Sequence, residues 1–224
     1  ASNSFLATKI SFINSVANVC EKTGADITKV AHGMGLDARI GRNFLQGGIG
    51  YGGSCFPKDV DAFMHISGKL GYDFGILKAA SKVNYEQRML FVRKIEEALW
   101  IAKGKAIGIL GLAFKPETDD MRSAPSIDII NALKDAGADI KVYDPKAMKK
   151  AKSFLKGVTY CKDLYDTAKG SDCLAIVTEW HEFEVMDLKR VKKLMKNPLI
   201  ADGRNIFDPV KMKALGFRYI SIGR

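Results

Sequence analysis

The reactive chemistry of this sequence gathers at one cysteine. In Gly47-Gly48-Ile49-Gly50-Tyr51-Gly52-Gly53-Ser54-Cys55-Phe56-Pro57-Lys58-Asp59, five glycines crowd seven positions just ahead of Cys55. Glycine permits positive φ and lets a ligand approach the main chain closely. Ordering so many glycines costs entropy, so a bound ligand is expected to help hold the loop. Pro57 suits the first turn of a helix, and Val60, Phe63, Met64 and Leu70 follow at helical spacing. Cys55 is therefore predicted just before a helix N-terminus, with Lys58 one turn on. The thiolate is the nucleophilic form of cysteine, and both a helix N-terminus and a nearby cation favour it. The dipole contributes only about 0.3–1 kcal/mol, so a second cation or a base is needed. Lys58 is one candidate. The plainer alternative is a small buried hydrophobe, the usual role of an unpaired cysteine.

A second glycine pair lies in Gly108-Ile109-Leu110-Gly111, at the end of an apolar run, with Asp144 ending the next one. This layout imitates a dinucleotide-binding unit. The spacing G-x-G-x-x-G is absent, however, and Pro116-Glu117-Thr118-Asp119-Asp120 lies where a tight pyrophosphate turn should be. A ligand at the carboxyl ends of the strands remains open: Phe114 for stacking on a base, Lys115 and Arg122 for phosphate. So does a plain scaffold sheet.

The elements that must position these residues fall into two groups. In residues 1–103 the pattern is helical. Leu6, Ile10, Ile13, Ala17 and Cys20 predict a helix over 4–20, stopped by Thr23-Gly24. Asp26 caps a short one running to Val30. A long helix is predicted from about Ile76 to Lys103, with Gly104 ending it. Its apolar residues suit a spine between domains or the contact of a homodimer. From 104 to 224, strand and helix alternate. Apolar strands are read at 106–113, 140–143, 158–160, 173–178, 199–201 and 218–220, with helices at 126–136, 148–155, 164–169 and 188–195. The expected fold is α/β: an all-α domain with a long spine helix, followed by a Rossmann-like, doubly wound parallel sheet.

Composition bounds the function. The chain has 224 residues and a net charge of +10. Its lysines are dispersed and no aromatic-interleaved basic patch occurs, so an anionic small ligand is a better partner than nucleic acid. No apolar run reaches membrane-spanning length. The N-terminus lacks the pattern of a signal peptide. Cys20, Cys55, Cys161 and Cys173 form no C-x-x-C and no zinc-type cluster, which fits free thiols in a cytoplasmic setting and no metal site. His32, His65 and His181 are scattered and read as surface or core residues.

The segment Gly-Gly-Ser-Cys-Phe-Pro-Lys-Asp resembles the active-site segment of the nucleotide-sugar dehydrogenases of the UDP-glucose/GDP-mannose dehydrogenase family, the UDP-glucose-oxidising members above all. Three more stretches extend the resemblance over the chain. Gly111–Ser126 resembles the opening of the family's UDP-binding domain. Ala201-Asp202-Gly203-Arg204-Asn205 resembles its late Asp-Gly-Arg segment, and Ala1–Phe5 the start of its central helical domain.

The resemblance implies an NAD-dependent oxidation of UDP-glucose, twice over, to UDP-glucuronate. In it, Cys55 captures the intermediate aldehyde as a thiohemiacetal, which becomes a thioester and is hydrolysed. It implies that Asn3 and Asp59 orient water and stabilise charge. Gln46, Gly47, Gly48, Ile49, Gly50, Tyr51 and Gly52 wrap the nucleotide sugar with Phe44 beside them, and Phe114, Lys115 and Arg204 also bind it. Arg39 reaches a sugar nucleotide on the neighbouring subunit. Arg122 faces NAD, with Lys58 beside the cysteine. The family's N-terminal NAD-binding domain, and a catalytic lysine four residues ahead of the asparagine matching Asn3, are not in this sequence. The resemblance thus implies the C-terminal portion of an enzyme, inactive alone. A GDP-mannose dehydrogenase, or a nucleotide-binding and dimerisation module without turnover, stands as the alternative.

Overall fold

The computed structural model describes residues 1–224. Four helices come first: α1 (Ser2–Thr23), α2 (Ile27–Gly35), α3 (Phe56–Lys69) and α4 (Gly75–Leu99). Helix α1 stops where Gly24 turns left-handed at φ 75°. Asp26 caps α2 by accepting from the Thr28 N–H, as its short polar side chain allows. Pro57 lies in the first turn of α3, and Cys55 is its N-cap residue.

The second half runs β1 (Ala106–Leu110), α5 (Pro125–Asp135), β2 (Asp139–Tyr143), α6 (Met148–Phe154), β3 (Thr159–Tyr160), α7 (Leu164–Ala168), β4 (Cys173–Ile176), α8 (His181–Glu184), α9 (Leu188–Leu194), β5 (Leu199–Asp202), α10 (Pro209–Ala214) and β6 (Arg218–Ser221). The strands form one sheet in the order β3-β2-β1-β4-β5-β6. Every pairing is parallel, with Ile109 beside Val142 on one side and Ala175 on the other. The order reverses between β1 and β4, the crevice where such sheets take ligands.

The core explains why helices and sheet stay together. Side chains alternate across a strand. Ile107, Ile109, Cys173, Ala175, Leu199 and Ala201 join a cluster that also holds Ile13, Ala17 and Ile27 of the first two helices and Phe91 and Ile95 of α4. Leu110, Leu174, Ile176 and Ile200 face the opposite cluster, with Trp180, Phe183 and Val191. One buried cluster therefore crosses from the helical half into the sheet. The Arg88 guanidinium of α4 adds an ion pair to Asp128 of α5.

Three expectations are corrected. The long helix ends at Leu99 rather than Lys103, because Trp100 takes a positive φ of 66° and breaks the hydrogen-bond ladder. The first strand ends at Leu110, since Gly111 turns at φ 94°; Leu112 and Ala113 are buried in the loop beyond. Helices α8 and α10, of 4 and 6 residues, escape the sequence reading, being too short for a period to show.

Candidate active site

A cleft of about 520 Å³ opens between the helical half and the sheet. Its walls include Asn3, Ile10 and Asn14 of α1, the loop from Phe44 to Phe56, Phe114 and Lys115 after β1, and Glu179 and Arg204 after β4 and β5. Cys55 lines it and is exposed, the other three cysteines being buried. Its sulfur lies 3.7 Å from the Ser54 hydroxyl.

The glycine loop is held by protein contacts along its length. Asn14 Oδ1 accepts from the Gly48 N–H at 2.9 Å. Asn84 clamps Tyr51 from both sides, accepting from its N–H at 2.8 Å and donating to its carbonyl at 3.1 Å. Arg88 donates to the same carbonyl at 2.6 Å, and Arg204 to the Gly50 carbonyl at 3.1 Å. The Ile49 N–H reaches the Gly203 carbonyl at 3.1 Å. The glycines serve this packing. A Cβ at Gly50 would strike the Asn84 side chain, and one at Gly52 the Ser123 carbonyl. At Gly53 it would strike the Phe114 ring.

Around the cysteine, Asn3 Nδ2 donates to Asp59 Oδ2 at 2.7 Å. This bond is the main reason the Asp59 carboxyl lies below its ordinary value. Lys58 pairs with Asp59 at 3.4 Å and is mostly solvated. Arg122 also lies near the Cys55 sulfur; its own pKa is raised, chiefly by its bond to Asp120 and to a lesser extent by Cys55. Arg122 also stacks its backbone on the loop, its carbonyl accepting from the Gly53 N–H at 2.9 Å. Arg122 stands 67 positions beyond Cys55, a proximity that spacing could not reveal.

Most of the expected binding residues meet at the cleft: Phe44, Gln46, Gly48, Gly50, Tyr51, Gly52, Phe114, Lys115 and Arg204. Other expected site residues do not line it directly. Ile49 is fully buried in the core. Gly47 lies behind the loop, its carbonyl accepting from Asn205 Nδ2 at 3.2 Å. Arg39 is 89% exposed and bound to Asp37. Asp59 and Lys58 stand beside the cleft rather than in it. Phe44 holds a positive φ of 64°, a strained conformation for a bulky residue, and packs on Phe56 with ring centroids 6.0 Å apart. The sequence reading missed Asn14 and Glu179. Asn14 sits mid-helix and Glu179 follows a strand, and neither carries a local signature.

The turn after β1 does not fit a dinucleotide. Asp144 accepts from the Leu112 and Ala113 N–H groups at 2.7 and 3.1 Å, from Lys146 and Ala147 N–H at 2.9 and 2.7 Å, and from Trp180 Nε1 at 3.1 Å. A carboxylate of the chain itself thus occupies the amides on which a pyrophosphate would sit, and Thr178 fills the space over Gly111.

The model of the UDP-glucose/GDP-mannose dehydrogenase central domain matches residues 1–86, and that of the same family's UDP binding domain matches residues 108–209. The chain belongs to the UDP-glucose/GDP-mannose dehydrogenase family. Among relatives of this dehydrogenase family, UDP-glucose 6-dehydrogenase TuaD of Bacillus subtilis is 50% identical over 225 residues, covering 100% of this chain and 49% of its own length. The UDP-glucose 6-dehydrogenase of Rhizobium meliloti is 45% identical over 100% of this chain and 52% of its own. A UDP-glucose dehydrogenase structure from Pyrobaculum islandicum superposes with a TM-score of 0.88 at 37% identity, over 99% of this chain and 48% of that one. The chain spans about half the length of the curated relatives it matches. No helix of this family member is long and apolar enough to cross a membrane.

Proposed function

We propose that this chain carries the sugar-nucleotide cleft and the nucleophilic thiol of an NAD-dependent UDP-glucose 6-dehydrogenase. The observation that supports it best is the placement of Cys55. It is an exposed thiol at the N-cap of α3, on the wall of a cleft built from both halves of the fold. The identity to UDP-glucose 6-dehydrogenases over the whole chain favours UDP-glucose over GDP-mannose as substrate.

In this reading Cys55 adds to the aldehyde carbon of the half-oxidised sugar. A C–S bond forms and the carbonyl oxygen takes up a proton, giving a thiohemiacetal. When bound, NAD supplies the acceptor for the hydrides lost from the sugar carbon. Water then attacks the resulting thioester, and the C–S bond breaks to return the thiol and a carboxylate. Arg122 places a cation near the Cys55 sulfur, and the Asn3–Asp59 pair presents fixed polar groups beside the reacting carbon. Arg122 and Lys58, both exposed on the cysteine's side, are the residues here that would face the cofactor. The blocked turn after β1 argues that its pyrophosphate is held by a further, N-terminal domain. Two copies pair through the helical half, where Phe5, Phe12 and Val19 of α1 and Ile76 and Tyr85 of α4 are exposed. Arg39, exposed here and paired with Asp37, then serves the cleft of the second copy.

The test is protection of Cys55. UDP-glucose should slow its alkylation by iodoacetamide at least tenfold and GDP-mannose should not, read by peptide mass spectrometry. Equal labelling with and without UDP-glucose would reject the reading.

A further inference from the structure

Asn14 has a polar atom that the fold leaves unused. The residue is fully buried, yet it lines the cleft. Its Oδ1 accepts from the Gly48 N–H at 2.9 Å. That bond fixes the amide's orientation, because turning it over would set Nδ2 against another donor. Nδ2 is buried and has no hydrogen-bond partner in the protein. A buried donor without an acceptor is costly, so such an atom at the edge of a ligand cleft signals an acceptor on the ligand.

Helix α1 shows which part of the ligand that is. Asn3, Ile10 and Asn14 line the cleft from a single helix face. Asn3 marks the reactive end, since its partner Asp59 lies in the first turn of α3, and the Asp59 N–H donates to the Cys55 carbonyl at 2.9 Å. Asn14 lies eleven residues further along, about 16 Å at 1.5 Å per residue. That separation is close to the span of an extended nucleoside diphosphate sugar. With the sugar's oxidised carbon at Cys55, the opposite tip of the ligand meets Asn14. This tip is the edge of the base farthest from the ribose.

We infer that Asn14 is a specificity-determining residue, whose Nδ2 donates to the O4 carbonyl of uracil at the far end of the cleft. The inference rests on the UDP-sugar reading above and adds the atom that reads the base. Cytosine presents an amine at the same edge, so Asn14 would meet it donor to donor and reject it.

The experiment is a nucleotide swap. Asn14→Asp keeps an oxygen for the Gly48 N–H and replaces the free donor with an acceptor. Its charge acts on the diphosphates of UDP and CDP alike, so the ratio of their affinities isolates the base edge. By calorimetry, the wild-type chain should bind UDP at least tenfold more tightly than CDP. Asn14→Asp should shift that ratio at least tenfold towards CDP. Asn14→Ser adds no charge and draws the side chain back to a hydroxyl that can donate or accept, so it should bring the ratio close to one. Ratios within twofold of wild type in both variants would overturn the role of Asn14 alone. Failure of the wild type to bind UDP or UDP-glucose would overturn the cleft reading and this inference together. Thermal melts of the variants identify any loss caused by unfolding, and the serine variant then decides.

Discussion

Asn3 donates to the Asp59 carboxylate across 56 residues of sequence, tying the first turn of α1 to the first turn of α3 beside Cys55. The bond holds the Asp59 carboxyl below its ordinary value of 3.8. A lowered acid stabilises the fold at pH above its unfolded value, and that contribution is lost as pH falls through the lowered folded value. Asn3→Ala should therefore melt about 1–2 °C below wild type at neutral pH. The gap should close in acid, once Asp59 is protonated in both proteins. Carboxyl titration by NMR should show Asp59 moving back towards 3.8 in the variant. An unchanged titration would remove Asn3 as the cause.

Asp144 satisfies five donors from a site 1% exposed. Asp144→Ala should cost at least about 1–3 kcal/mol, the penalty for leaving a buried donor without its acceptor. Urea unfolding at constant m-value measures it. A loss below about 1 kcal/mol would mean that water replaces the carboxylate, as it can where a cavity opens.

Cys55 is the exposed thiol; Cys20, Cys161 and Cys173 are buried. Burial pushes the Cys161 thiol up and that of Cys173 to about 12. A disulfide-exchange reagent should titrate one thiol quickly in the native protein and all four only in denaturant. Cys55→Ser should remove the fast phase. In an enzyme completed with its NAD-binding domain, the same change should lower steady-state NADH formation at least about a hundredfold, with aldehyde or a trapped adduct left on the protein. Turnover within a few fold of wild type would reject the nucleophile.

Two glycines separate packing from propensity. Gly50 has φ 93°, and a Cβ there meets Asn84. Gly50→Ala should lose about 2–4 kcal/mol of stability and weaken UDP binding. Gly68 in α3 has open space around it, so Gly68→Ala should add about 0.5–1 kcal/mol. Paired thermal and urea unfolding checks both signs.

The alternation of apolar runs with helical segments made the parallel sheet legible in the sequence, because its strands are buried on both faces and read as continuous hydrophobic stretches. The start of α3 was legible too, since Pro57 and the glycines before it are local signals. So was the absence of a dinucleotide fingerprint after β1. What the letters left open is what lies far apart in the chain. Arg122 as the cation near Cys55, Asn84 and Arg88 as the clamps on Tyr51, and Asp144 as the plug of the β1 turn are all pairings across tens of residues. The partner in each is an ordinary polar residue with no spacing rule. The glycine loop shows the division most plainly. Its composition announced flexibility, but a glycine's freedom is also what lets neighbouring atoms approach its backbone. Only the packing of α1, α4 and the sheet around the loop decided that its glycines are there for close contact, and left Asn14 Nδ2 as the donor without a partner.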